Sequence, residues 1–109
     1  MRKLLGLALF FAAGSALAVT VSMTSPNNGA LYLAPATAPV KANASPSGVS
    51  VNRVEFYANG TLIRTDTTSP YQFDWSNVAA GTYVINAIAY DNNGAQATSI
   101  RIPILVLVF

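Results

Sequence analysis

Short runs in which apolar and polar residues alternate follow one another along the chain from residue 19 onward. Because successive side chains of a β-strand point to opposite faces, this alternation predicts strands that bury one face. No segment after residue 18 has apolar residues at the i, i+3, i+4, i+7 spacing of an amphipathic helix. Six or seven short strands at roughly ten-residue intervals therefore predict an all-β antiparallel sandwich.

The clearest local signal is the pair Asn59-Gly60, which separates an alternating run at 54–58 from another at 61–67. Both central residues of a type I′ turn need a positive φ, which Asn and Gly adopt most easily, so the pair predicts a β-hairpin. An aromatic run at 71–75 predicts a further strand. The side chains expected to form the core from these runs are Val54, Phe56, Ala58, Tyr71, Phe73 and Trp75.

Turns rich in Asn, Gly, Pro and Ser separate the remaining predicted strands. These strands cover 19–24, 40–45, 82–90 and 95–108, and the proline-rich segment 32–39 is expected to be extended. In the last two strands, the side chains assigned to the core are Tyr83, Ile85, Ala87, Ala89, Ile102, Ile104, Val106 and Val108.

The first eighteen residues have the pattern of a cleavable signal peptide. A basic start is followed by an apolar run at 4–13 and by Ala16-Leu17-Ala18, which fits the small-residue cleavage rule. The apolar run is short for a bilayer span. We therefore expect a signal peptide at 1–18, a domain at 19–109 and a secreted, periplasmic or cell-surface protein. An uncleaved anchor is the alternative, and it is the only expected membrane contact.

Removal of the signal peptide changes the charge of the chain. The net charge of +2 comes from Arg2 and Lys3, and without them the four remaining basic residues balance the four acidic ones. A neutral domain has no electrostatic footprint for nucleic acid, so no nucleic-acid partner is expected. A protein with few charges and no net charge is prone to associate.

The composition excludes several kinds of catalytic and metal site. The chain has no His and no Cys, which removes imidazole bases, Ser-His-Asp triads and thiolate ligands. Asp66 and Asp74 are the nearest candidates for a paired-carboxylate site, but both lie beside turns rich in Thr and Ser. The segment 91–94 has Asp and Asn like a calcium loop, but lacks the length and the distal Glu. We expect no enzyme activity, no metal and no cofactor.

Several segments follow one another in an order that is fairly specific: Val54-Glu55-Phe56-Tyr57, Gly60-Thr61-Leu62-Ile63, Asp66-Thr67-Thr68-Ser69-Pro70-Tyr71, Trp75, Ala80-Gly81-Thr82-Tyr83 and Tyr90-Asp91-Asn92-Asn93-Gly94-Ala95. In this order they resemble a bacterial immunoglobulin-like domain, a family similar to modules appended to secreted glycoside hydrolases, chitinases and cell-surface proteins. The resemblance implies an Ig-like sandwich of about seven strands in which Tyr83 forms a tyrosine corner. It implies little about activity, because such modules are mostly spacers or auxiliary binding units.

Two tyrosines form the first candidate binding site. If Phe56 and Ile85 point inward, Tyr57 and Tyr90 point outward on strands that are neighbours in an Ig-like sheet. Such a pair predicts either a platform on which a sugar ring stacks or an ordinary cross-strand aromatic pair, which stabilises a sheet by less than about 1 kcal/mol.

The apolar last strand forms the second candidate. With its core residues facing inward, alternation places Leu105, Leu107 and Phe109 outward, and an Ig-like arrangement puts that face beside Val84 and Ile88. A patch of this kind exceeds what monomers usually leave exposed, so these five residues predict a partner interface. The alternative is an edge strand that frays at its end.

These features predict a non-catalytic, exported Ig-like module that acts in binding, adhesion or assembly through an outer sheet face and its apolar last strand. A protein partner or a second copy of the chain is the expected contact. Two alternatives stay open: a carbohydrate-binding accessory module of a polysaccharide-degrading system, and a purely structural spacer.

Overall fold

The computed structural model describes residues 19–45 and 50–108, which form nine β-strands and no helix. The strands are β1 (Thr20–Ser25), β2 (Ala30–Leu33), β3 (Ala36–Ser45), β4 (Val51–Ala58), β5 (Thr61–Asp66), β6 (Tyr71–Val78), β7 (Gly81–Asp91), β8 (Gln96–Thr98) and β9 (Ile102–Leu107). In these two ranges no helix is long and apolar enough to cross a membrane. The predicted signal peptide at 1–18, the predicted turn at 46–48 and Phe109 lie outside the described residues.

The strands form two sheets, as the alternation predicts. The six-stranded sheet has the order β2-β9-β7-β4-β5, and the short β8 pairs with β7. The three-stranded sheet has the order β1-β3-β6. Neighbouring strands are antiparallel with one exception, because β2 and β9 run parallel to each other.

The predicted hairpin is confirmed at β4 and β5. Asn59 and Gly60 have φ values of 51° and 81°, both in the left-handed region that a type I′ turn requires. The other edge of β4 pairs with β7, which places Phe56 opposite Ala87 and Ala58 opposite Ile85. The hairpin therefore joins the centre of the sheet to its β5 edge.

The core lies between the two sheets and is formed by the alternating side chains that the sequence assigns to it. Its largest fully buried side chains are Val40, Val54, Phe56, Ile85, Ile104 and Val106. The rings of Phe56 and Phe73 meet across the sheets with their centroids 5.4 Å apart. Burial of each such side chain contributes about 1.5–3 kcal/mol, so this packing is the main term that stabilises a domain without disulfides.

A second, smaller cluster closes one end of the sandwich around Ala36, Val78 and Val106. Here the Trp75 and Tyr83 rings pack edge to face with their centroids 5.2 Å apart. The Tyr83 hydroxyl donates a hydrogen bond of 2.7 Å to the Ala79 carbonyl, four residues upstream. This is the geometry of a tyrosine corner, which confirms the expectation that the family resemblance implies.

The last predicted strand is divided in the structure. Residues 99–101 interrupt it, and Ser99 is buried at the break. The Ala87 N–H donates to Ser99 Oγ at 2.9 Å, while the Ser99 N–H donates to the Ala87 carbonyl at 2.8 Å. The Ser99 hydroxyl thus accepts the N–H that a backbone carbonyl would accept in a continuous strand. As a result, one half of the β7 edge pairs with β8 and the other half pairs with β9.

Two further features differ from the prediction. The segment 30–33 is a strand of its own, β2, and the strand predicted at 40–45 begins earlier, at Ala36, so most of the segment predicted to be extended lies in these two strands. Val108, expected in the core, is exposed because β9 ends at Leu107, one residue before it.

Candidate functional site

The outer faces of the two sheets differ in chemistry. The exposed side chains on the three-stranded sheet are small and polar or charged: Thr20, Ser22, Thr24, Thr37, Lys41, Asn43, Gln72, Asp74 and Ser76. The outer face of the six-stranded sheet instead has aromatic and leucine side chains and an ion pair. Large apolar and aromatic side chains are those that interfaces and ligand sites favour, so the outer face of the six-stranded sheet is the candidate site.

One end of this face holds a linked group of side chains, the Tyr-Arg cluster, formed by Arg53, Glu55, Tyr57 and Tyr90. Arg53 Nε lies 2.9 Å from Glu55 Oε2, and the Tyr57 hydroxyl donates to Glu55 Oε1 at 2.6 Å. The Arg53 guanidinium lies over the Tyr90 ring, 3.9 Å from its centroid. Hydrogen bonds thereby connect the three side chains on β4, and the contact of Arg53 with Tyr90 connects them to β7.

The hydrogen bonds in the cluster change the acidity of two of its members. The Tyr57 hydroxyl, followed by Arg53, holds the pKa of the Glu55 carboxyl below its ordinary value despite partial desolvation. The same bond to Glu55, with some desolvation, raises the pKa of Tyr57 to about 12. Glu55 is therefore an ionised acceptor and Tyr57 a neutral donor at neutral pH, which is a structural arrangement rather than an acid–base pair.

The two residues proposed for sugar stacking lie on neighbouring strands and the same face. Tyr57 is opposite Asn86, whereas Tyr90 is opposite Arg53. The two tyrosines therefore lie four positions apart along the strand direction, which is about 13 Å at the rise per residue of a β-strand. One face of the Tyr90 ring is covered by Arg53. The structure thus connects the two tyrosines through Glu55 and Arg53, and their role in sugar binding stays a prediction.

The other end of the face has a group of exposed leucines, the leucine patch, formed by Leu31, Leu33, Leu105 and Leu107. Their exposed fractions are 65%, 54%, 37% and 39% respectively. Leu105 is opposite Leu31 and Leu107 is opposite Leu33, because β9 and β2 run parallel in register. The four side chains therefore form a two-by-two block at the β2 edge of the sheet.

The residues proposed from the sequence for a partner interface are divided by the structure. Leu105 and Leu107 belong to the leucine patch, and Val84 is one row away, opposite Pro103. Ile88 is opposite Glu55 and Thr98, so it lies beside the Tyr-Arg cluster and not beside the leucines as expected. The physical reason is the break before β9, since that half of β7 pairs with β8 instead. Phe109 lies outside the described residues.

The sequence reasoning missed Leu31 and Leu33. The signal was present, because Leu31 and Leu33 alternate with Ala30 and Tyr32 directly after the turn at 27–29. Pairing of this short strand with β9, some seventy residues later, was not visible from local pattern.

A groove separates the leucine patch from the Tyr-Arg cluster. Its volume is about 410 Å³, and it is lined by Asn59, Gly60, Val84, Asn86 and Arg101. Asn59 holds the hairpin tip against β7, since its Oδ1 accepts from the Val84 N–H at 2.8 Å and its Nδ2 donates to the Thr82 carbonyl at 3.3 Å. One wall of the groove is therefore anchored by the hairpin.

Two of the three carboxylates considered for catalysis or metal binding accept hydrogen bonds from the backbone. Asp66 accepts the Thr68 and Gln72 N–H groups at 3.1 Å each, which shapes the loop before β6. Asp91 accepts the Asn93 and Ala95 N–H groups at 2.8 and 2.9 Å, so this carboxylate stabilises the turn between β7 and β8. Asp74 is exposed on β6, in the other sheet from Asp66. Residues 19–45 and 50–108 contain no group of three acidic side chains placed to hold a metal ion.

Comparisons with known proteins find similarity to a fibronectin(III)-like module and to a short part of a lyase. A fibronectin(III)-like module of Clostridium thermocellum CbhA is 35% identical, with a TM-score of 0.75, over 79% of this chain and 93% of that one. The long isoform of ulvan lyase from an Alteromonas species is 32% identical over 55% of this chain. The matched region is only 8% of the length of that lyase.

An endo-β-1,4-mannanase from Thermotoga petrophila shares the fold, with a TM-score of 0.64 over 84% of this chain and 20% of that one, at 14% identity. The family model described as a bacterial Ig domain matches residues 20–87, which is more than half of the chain. Two packed sheets and a tyrosine corner agree with that match. The chain belongs to the family of bacterial Ig domains.

Proposed function

We propose that this chain is an exported, non-catalytic accessory module of a polysaccharide-degrading system and that it works by assembly. In this proposal the leucine patch packs against the leucine patch of a second copy. The observation that carries the proposal is the block of four exposed leucines on the parallel strands β2 and β9. The accessory role is supported by the similarity to part of a ulvan lyase and to a fibronectin(III)-like module. Export is supported by the signal-peptide pattern at 1–18.

The exposed area of the patch decides how strong this association is. The four exposed fractions together equal about two fully exposed leucine side chains. Burial of one such side chain is worth about 1.5–3 kcal/mol, so a symmetric pair of patches gains about 6–12 kcal/mol. Association itself costs about 4–15 kcal/mol. The surplus is at most about 8 kcal/mol, which corresponds to a Kd no tighter than about 1 μM.

A second copy is the favoured occupant for two reasons. A two-by-two block of leucines is self-complementary, as a two-fold symmetric interface requires. The mature domain is also nearly neutral, so two copies approach without electrostatic repulsion.

Sedimentation of the purified protein tests the proposal over protein concentrations from about 0.1 μM to about 1 mM, which extend below and above the tightest expected Kd. We expect the mean mass to rise with concentration. Leu105→Thr combined with Leu107→Thr should weaken association by at least about tenfold, since it removes about two fifths of the exposed leucine surface. Both positions point outward and Thr favours strands, so the variant should stay folded.

Leu62→Thr is the matched control. Leu62 is also an exposed leucine of the six-stranded sheet, but it lies on β5 opposite Tyr57, away from the patch. Its replacement should leave the mass unchanged. A protein that stays monomeric at the highest concentration, or a Leu62→Thr variant as weak as the double variant, would contradict assembly through the patch and favour a structural spacer.

Sugar stacking by Tyr57 and Tyr90 is the second candidate, supported by their common face and by the similarity to modules of polysaccharide-degrading enzymes. Under it, Tyr57→Ala or Tyr90→Ala abolishes retention of the protein on an insoluble polysaccharide. Equal retention of both variants and the unmodified protein would remove this candidate.

A further inference from the structure

The groove between the Tyr-Arg cluster and the leucine patch has a row of polar side chains across it. Ile102 is opposite Ile85, so the residues next to them, Arg101 and Asn86, are neighbours on the outer face. Asn86 is in turn opposite Tyr57 on the other side of β7. A phenol, an amide and a guanidinium thus follow one another across the sheet at the level of the groove.

Two of these groups have no partner among the residues that the structure describes. In residues 19–45 and 50–108, neither the Arg101 guanidinium nor the Asn86 amide takes part in a side-chain hydrogen bond or an ion pair. The other polar side chain of the groove, Asn59, is fully engaged with the backbone of β7. The groove therefore combines a fixed wall with two groups that are available to a ligand.

The charge in the groove is positive. Among the described residues that line it, Arg101 is the single ionisable one, and none is a carboxylate. The nearest acid along the outer face, Glu55, is already bonded to Arg53 and Tyr57. A guanidinium donates two parallel hydrogen bonds to two oxygens of one anionic group, and both a carboxylate and a sulfate offer such a pair of oxygens.

We infer that this groove binds an acidic oligosaccharide, with the anionic substituent of one sugar on Arg101, ring hydroxyls on Asn86 and the ring itself over Val84. The volume of about 410 Å³ is within the range of small-ligand sites. The apolar Val84 in the lining offers a surface for the C–H face of a sugar ring, and the Tyr57 ring stands at the end of the row.

An acidic peptide is the rival ligand, and the fold disfavours it. Extended peptides usually bind sheets by adding a strand to a free edge. The floor strand of the groove, β7, is paired on both sides, with β4 on one and β9 on the other. Its backbone has no free edge there, whereas a sugar needs only side chains.

Titration of the purified protein by two-dimensional ¹H–¹⁵N NMR tests the inference. The probes are a galacturonic acid tetramer, a galactose tetramer of the same linkage, a glutamate tetrapeptide and sodium sulfate. We expect shifts at Asn86, Arg101 and the backbone around Gly60 with the acidic sugar, and binding that weakens as NaCl is raised. The neutral sugar should bind at least about tenfold more weakly, since a charge-assisted hydrogen bond is worth about 1.5–3 kcal/mol.

Arg101→Gln should weaken binding of the acidic tetramer by about tenfold or more, and Arg64→Gln is the matched control. Arg64 is also exposed, but it lies on β5 with its guanidinium over Phe73, 4.8 Å from the ring centroid. Equal affinity of Arg101→Gln and the unmodified protein would overturn the inference. So would equal affinity for the neutral sugar or the peptide, or shifts with sulfate as strong as those with the tetramer.

The outcome is separable from that of the proposed assembly. Leu105 and Leu107 do not line the groove, so their double Thr variant should bind the acidic tetramer like the unmodified protein. If the double variant loses association but still binds the tetramer, both the assembly and the sugar-binding groove are supported. If the unmodified protein is monomeric but binds the tetramer, the assembly is contradicted and the groove is still supported as a site.

Discussion

Two neighbouring residues of β9 offer a direct test of which face of the strand is buried. Ile104 is 1% exposed and lies in the main core, whereas Leu105 is 37% exposed and belongs to the leucine patch. Replacement of either by Ala removes a comparable apolar side chain from the same strand. Both variants therefore lower the β propensity of the strand. They differ because the side chain removed at 104 is buried in the core and the one removed at 105 is in contact with solvent.

The expected losses follow from those surroundings. Ile104→Ala leaves a cavity between the sheets and should lower the free energy of unfolding by about 2–5 kcal/mol. Leu105→Ala leaves no cavity, because solvent reaches the site, and should cost less than about 1.5 kcal/mol. For a domain of this size, 1 kcal/mol corresponds to about 4–8 °C in Tm. The Ile104→Ala variant should therefore melt well below the Leu105→Ala variant.

Urea denaturation followed by tryptophan fluorescence measures both losses, since Trp75 packs against the core. Protein at about 0.1 μM, below the tightest Kd expected for association, keeps association from adding to the measured stability. If Ile104→Ala does not fold, Ile104→Val, with an expected loss of about 0.5–1.5 kcal/mol, replaces it and is compared with Leu105→Val. Equal losses at the two positions, or a larger loss at 105, would refute the inward and outward assignment on which the leucine patch depends.

Three other predictions concern two hydrogen bonds, the one from Tyr83 to Ala79 and the one from Tyr57 to Glu55. Tyr83→Phe removes the donor to the Ala79 carbonyl but keeps the ring against Trp75, so it should lower the free energy of unfolding by about 1 kcal/mol in the same urea assay; no loss would show that the corner contributes nothing to stability. Folding lowers the pKa of Glu55, so Glu55 stabilises the protein at pH values above its pKa in the unfolded chain. This stabilisation is lost as the pH falls through the pKa of the folded state, and Glu55→Gln should remove this dependence on acid. The Tyr57 pKa is raised to about 12, so its contribution is present below about pH 10 and is lost as pH rises through about 12; ultraviolet titration should show one tyrosine ionising late, and Tyr57→Phe should remove that step. Ionisation of all tyrosines near pH 10 would contradict the Glu55–Tyr57 bond.

Most of the fold could be predicted from the local pattern. Alternation placed Phe56, Ile85 and Ile104 on inner faces, and all three are fully buried. The Asn59-Gly60 turn was predictable because its positive φ values are a local requirement that few residue pairs meet. Such features depend on residues one or two positions apart, and the sequence displays those directly.

The candidate site was predicted less well. Leu105 and Leu107 were assigned outward from alternation alone, and they are exposed, but their partners Leu31 and Leu33 come from a four-residue strand far away in the chain. Ile88 was grouped with them because the last strand was treated as continuous. Buried Ser99 interrupts that strand by bonding to Ala87, an event that hydrophobic pattern does not report.

The sequence by itself determined that this is an all-β domain, which side chains form its core and where its tightest hairpin lies, because strand period and turn chemistry are local properties. Only the tertiary structure decided which outward residues are neighbours. Parallel pairing of β2 with β9 assembled the leucine patch, and the break between β8 and β9 placed Arg101 beside Asn86 in a groove. Both depend on register between strands distant in sequence, which is set by the packing of the whole sandwich.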